Sequence, residues 1–162
     1  MKTKTLKRLF LGLFLLAFIL TGFIREFVFV NINYQLSYLY YHDEYNWVNK
    51  HLDFIKSFSY MQLYQAKWVL TFVFSIIYLA LSCWLTHFLF KKRRFIKIMI
   101  GVFSLFGIIA ILAYCTGYLL HDTASGYKFA RIFMGIVQSP LIPMILMPAF
   151  VFSESKKTTP HS

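Results

Sequence analysis

The chain has 162 residues, of which 59% are hydrophobic, 20% aromatic and only 14% charged, with a formal net charge of +11. A soluble domain carries about a quarter of its residues as Asp, Glu, Lys and Arg, so this composition excludes an ordinary soluble domain. The apolar residues come in long blocks, which predicts an all-α membrane protein: one membrane domain over residues 1–152, built as a bundle of four transmembrane helices.

The first element follows the basic segment "MKTKTLKR" and runs from about Leu9 to Val28. A basic start and an apolar run also open a secretory signal peptide, but Thr21-Gly22 is followed by Phe23, Ile24 and Arg25 with no small-x-small cleavage pattern, so a retained signal anchor is expected. Arg25 and Glu26 close this span. Arg25 stands about 24 Å along the axis from Leu9, slightly inside the far boundary of a hydrocarbon core of about 30 Å. Neighbouring residues on a helix diverge by about 100°, so at least one of the pair is expected to face another part of the chain rather than lipid.

Residues 29–67 form the only sizeable segment outside the spans. It is rich in tyrosine, whose ring is apolar and whose hydroxyl wants a partner, and the membrane interface meets both needs. Within "NKHLDFIKSFSYMQLY", Leu52, Ile55, Phe58 and Leu63 recur at helical spacing, with Lys50, Asp53 and Lys56 on other faces. This predicts an amphipathic helix on the outer surface. It either anchors the neighbouring spans or presents Tyr34, Tyr38, Tyr41, Trp47, Phe54 and Phe58 to a membrane partner.

The remaining spans are expected at about Trp68–Phe90, Phe95–Leu120 and Phe129–Phe152. "HDTASGYK" makes a short turn between the third and fourth. The fourth contains Pro140, Pro143 and Pro148, each lacking a backbone donor, so a kink is expected, with Gln138 and Ser139 satisfying freed carbonyls. The polar tail, residues 153–162, is expected to be disordered. Eleven basic residues lie at the N-terminus, between spans two and three, and in the tail, against six on the other side. By the positive-inside rule both termini are cytoplasmic, and this distribution accounts for the net charge without a nucleic-acid partner.

Chemistry-bearing motifs are sparse. At the outer level Asp122 and Arg131 could pair with Arg25 and Glu26 in an interhelix charge cluster, which would lower the cost of charge near hydrocarbon. Cys115, His121 and Arg131 are the least implausible catalytic group, a thiol with a base and an oxyanion donor, yet no motif marks Cys115 as a nucleophile. His42, Asp43 and Glu44 are too contiguous for a convincing metal site. Cys83 and Cys115 read as packing residues, and no cofactor motif is present.

The ending "IREFVFVNINYQL" of the first span, the long aromatic outer loop and the final span closing with "SPLIPMILMPAF" resemble the small membrane proteins of the exosortase F or exosortase X system-associated families of Bacteroidota. The reading taken from the residues is a non-enzymatic accessory; the resemblance implies an inner-membrane accessory of a protein-sorting system whose partner, the exosortase, carries out cysteine-dependent transpeptidation. It brings no catalytic residue to this chain. A membrane-embedded enzyme of cysteine peptidase type and a small-solute transporter or channel subunit are the alternatives.

Overall fold

The computed structural model describes residues 2–42 and 45–158, with side chains for 8–42 and 45–155. In chain order it contains α1 (Lys2–Tyr41), a 3-10 helix (Lys50–Ser57), α2 (Tyr60–Phe90), α3 (Arg93–Leu119), α4 (Thr123–Val137) and α5 (Leu141–Thr158), with no strand among the described residues. Three helices are long and apolar enough to cross a membrane, and the bent pair α4 and α5 makes a fourth candidate when counted as one span. The protein is therefore an all-α membrane protein, and the chain groups into two compact units, residues 15–74 and residues 1–14 with 75–162.

Boundaries differ from the sequence expectation: α2 begins at Tyr60 rather than Trp68, α4 begins at Thr123 inside the expected turn "HDTASGYK", and three further differences concern α1, the connection and the tail. α1 does not stop near Val28 but continues for 40 residues to Tyr41. No glycine or proline occurs from Phe23 to Tyr41, and Val28, Ile32, Leu36 and Leu39 share a face that packs on Ile55 and Leu63. The amphipathic segment is a 3-10 helix of eight residues, interrupted at Leu52 and capped by the Asn49 side chain, and a break at Phe58 and Ser59 precedes α2. Third, the tail is helical through Thr158, while residues 159–162 lie outside the described residues.

The unit of residues 15–74 is a helical hairpin with a folded connection. Phe29 packs on Phe74, the Lys67 ammonium donates to Asn33 Oδ1 at 2.8 Å, and Tyr40 lies beside Tyr60, which fixes α1 and the start of α2 as antiparallel neighbours. Its core is Ile32, Ile55 and Leu63.

In the other unit the first turns of α1 pack on the end of α2, with Phe14 edge-on to Trp84 and Phe10 against Phe88. α3 ends in a Schellman turn: Asp122 N–H donates to Gly117 C=O at 2.9 Å and His121 N–H to Tyr118 C=O at 3.3 Å, with His121 left-handed at φ 58°. The following helix crosses α3 at extremely close range. A Cβ on Gly117 would stand 2.4 Å from the Gly126 Cα, and one on Gly126 would stand 2.6 Å from the Gly117 Cα. Only two glycines permit this backbone approach, which trades side-chain volume for contact between the helices themselves.

At the opposite end of α3, Phe95 stacks on Phe150 with centroids 4.4 Å apart, Phe90 meets both edge-on, and Lys92 is ion-paired with Glu154. α4 and α5 meet at a 50° bend. The break falls at Gln138–Pro140, where Ser139 Oγ donates to Ile136 C=O at 2.8 Å and Gln138 Nε2 donates to Ser75 Oγ at 3.2 Å. Pro143 falls in the first turn of α5, where no intrahelical donor is needed, whereas Pro148 lies inside that helix.

Candidate functional site

The connection between α1 and α2 is held by amides. Asn31 and Gln35, one helical turn apart, are both buried, Gln35 to 1% exposure. Asn31 donates to Phe27 C=O at 2.7 Å and accepts from Asn49 N–H at 2.6 Å, using both ends of its amide. Gln35 Oε1 accepts from Asn46 Nδ2 at 2.7 Å, and Asn46 Oδ1 accepts from Val48 N–H at 3.1 Å. Buried amides are costly unless paired, and among the described residues no buried side-chain nitrogen or oxygen lacks a partner.

These contacts fix the path of the chain. Residues 45–49 run back along α1, meeting Gln35 at Asn46 and Asn31 at Asn49. The 3-10 helix then returns toward the hairpin tip, with Ile55 docked between Ile32 and Leu63. The amphipathic segment thus packs on the hairpin with Ile55 inward and Phe54 outward.

The result is an exposed aromatic crown at the tip. Tyr40 is edge-on to Tyr41 and beside Tyr60 at the tip, and ring contacts continue down α2 from Tyr60 to half-buried Tyr64 and on to Trp68. Phe54 and Phe58 meet edge to face. Of the side chains expected to dock a partner, Tyr34, Tyr41, Trp47, Phe54 and Phe58 are exposed, Phe54 to 62%, while Tyr38 is half-buried. Tyr40, Tyr60 and Met61 extend the patch.

The charged residues are placed differently. In the hairpin unit the Arg25 guanidinium lies over the Phe29 ring, 5.5 Å from its centroid, a cation-π contact reaching one turn toward the hairpin tip, and Glu26 is exposed. In the other unit Asp122 caps α4, accepting from Ser125 N–H at 3.1 Å, and Arg131 is exposed on α4. Hydrogen bonds from the Ser125 side chain and backbone hold the Asp122 carboxyl below its ordinary range. Asp122 therefore has a local role, as the N-cap of α4, that the charge-cluster expectation did not include.

Cys115 and His121 are exposed on and just after α3, and no hydrogen bond joins Cys115, His121 and Arg131 among the described contacts. Asp43 and Glu44 of the weak metal reading lie outside the described residues. An open groove of about 350 Å³ follows the α3–α4 crossing, lined chiefly by Ala113, Thr116, Leu120, Phe129 and Phe133. Its one carboxylate, Asp122, is the capping group already described.

Sequence reasoning fixed on Arg25 and Glu26 and missed Asn31, Asn33 and Gln35 in the same stretch. The pattern was there to be read: Asn31 and Gln35 at i and i+4 share a helix face, and polar groups there need partners.

The architecture defines the class: a helical membrane protein with a hairpin whose connection is folded and amide-pinned. No protein-family model, no curated protein and no solved structure matches the chain.

Proposed function

We propose that the chain is a non-enzymatic accessory or scaffold subunit of a complex in the cytoplasmic (inner) membrane, with both termini cytoplasmic, and that it holds another integral membrane protein through the aromatic crown. The observation that carries this reading is the crown's exposure at the hairpin tip. With the first span expected to end near Val28, Tyr40 and Tyr41 come roughly 18 Å beyond it, past a head-group layer of about 5–8 Å per leaflet. A contiguous patch of large rings outside hydrocarbon marks an interaction surface, and the amide pins give it a fixed shape, which lowers the ordering cost of binding. The resemblance to exosortase-associated proteins supplies a candidate partner, an exosortase, and links the role to protein sorting.

The test is isolation of the tagged full chain in native detergent, beside the variant Tyr40→Ser/Phe54→Ser/Tyr60→Ser. The reading expects a stoichiometric multi-spanning partner with the wild type and its loss with the variant at unchanged abundance. Repeated recovery of the bare protein under gentle conditions would overturn it.

A small-solute transporter or channel subunit is the second reading, favoured by the bent pair α4 and α5 with buried Gln138 on Ser75 at its break. It requires the chain alone, reconstituted in vesicles, to move solute. The enzymatic alternative requires Cys115→Ala to abolish function while leaving abundance intact.

A further inference from the structure

The aromatic side chains of the hairpin connection stand at two depths. The crown is at the tip, whereas the connection reaches its lowest point where Asn49 N–H meets Asn31 Oδ1. Asn31 stands three residues, about 4.5 Å, beyond Val28, where the first span is expected to end, and Lys67, bonded to Asn33, marks the same level on α2. The chain from Trp47 to Lys50 is thereby held about 15 Å below the crown, at the level of the expected span end.

The side chains at this lowest point have the chemistry of an interfacial anchor. Trp47 is 72% exposed with its ring against Tyr45, while its neighbour Val48 is buried and fixes the backbone. Lys50 is exposed and has no carboxylate partner among the described residues, whereas Lys56, further toward the tip, is ion-paired with Asp53 at 2.7 Å. An exposed indole and, three residues away, an exposed ammonium that meets no carboxylate among the described residues, both at span-end depth, match the two parts of a phospholipid head-group region. The ring suits the glycerol level and the ammonium suits the phosphate.

We infer that residues 47–50 form a lipid-contacting toe, in which Trp47 enters the interface of the bilayer that the protein spans and Lys50 engages a phospholipid phosphate. Lipid contact here holds the depth of the hairpin, so that the crown stays at a constant height above the membrane. The inference rests on the amide contacts and not on the identity of any partner.

The full chain and its Trp47→Phe variant, each reconstituted alone, give Trp47 fluorescence by difference, with Trp68 and Trp84 common to both. Phospholipids brominated near the top of the acyl chain are expected to remove most of that emission, deeply brominated lipids less, and aqueous iodide little. Lys50→Glu is expected to weaken the shallow quenching in anionic vesicles. Iodide quenching without lipid quenching would place the toe in water and overturn the inference. Shielding from both quenchers would mean burial in protein and would overturn it equally. If Trp47→Phe misfolds by circular dichroism, Trp47→Tyr replaces it in the same subtraction. Because no partner is present, failure here leaves the accessory reading to its own test.

Discussion

Gly117 and Gly126 carry the sharpest residue-scale consequence. Either Gly→Ala substitution places a methyl carbon inside the contact distance of backbone atoms that cannot turn away, so α3 and α4 must part. We expect a loss of about 1–3 kcal/mol, the usual cost of overpacking, visible as a lower midpoint in thermal or denaturant unfolding in detergent. Gly101→Ala, where nothing lies within 4 Å of the added carbon, serves as the neutral control. His121 gives the opposite sign. It occupies the left-handed position of the α3 turn at φ 58°, so His121→Gly is expected to stabilise by up to about 1 kcal/mol, whereas His121→Val should destabilise. Asp122 adds a pH dependence. Its folded pKa is lowered by its Ser125 hydrogen bonds, so its capping contribution is fully present above the ordinary carboxylate range and disappears as pH falls through the lowered value. Unfolding midpoints of wild type and Asp122→Ala should differ at neutral pH, and this contribution to the difference should vanish in acid.

At the scale of elements, the connection between α1 and α2 depends on two buried amides. Asn31→Leu removes the acceptor for Asn49 N–H, and Gln35→Leu removes the acceptor for Asn46. Each leaves a donor to find water or remain unpaired, at about 1–3 kcal/mol. Hydrogen exchange should rise selectively in residues 45–58 while α3 and α4 keep their protection. Much of this element was hidden in the sequence by its composition. The tyrosines read as a membrane interface rather than as a continuing helix, and the stripe Val28, Ile32, Leu36 and Leu39 acquires meaning only once Ile55 and Leu63 are known to cover it. The bend between α4 and α5, by contrast, was legible because Pro140 removes a donor whatever surrounds it. The task expected of Ser139 is the one it performs at Ile136, whereas Gln138 reaches across to Ser75, a tertiary contact that no local pattern encodes.

At the scale of the whole molecule, apolar length and basic-residue placement made the membrane class readable, because both are additive properties of the chain. The length of α1 was not readable from hydropathy, since a helix need not end where hydrocarbon ends. The proposed topology carries its own check. Reporter fusions or impermeant labels at either terminus should register the cytoplasm, and a label at Tyr45→Cys in a Cys83→Ala/Cys115→Ala background should register the opposite compartment. Labels that put both ends outside would overturn the orientation drawn from the basic residues.

The side-chain bonds of Asn31, Gln35, Asn46 and Asn49 in the hairpin connection are made between uncharged groups, whereas Lys67 on Asn33 and Lys56 on Asp53 carry charge. Ion pairs weaken as salt shortens the Debye length from about 10 Å at 0.1 M to about 3 Å at 1 M, and carboxylates and imidazoles change state with acidity. Amide hydrogen bonds do neither. The amide contacts therefore keep the path of residues 46–49 across swings in ionic strength and pH that loosen the charged contacts around them.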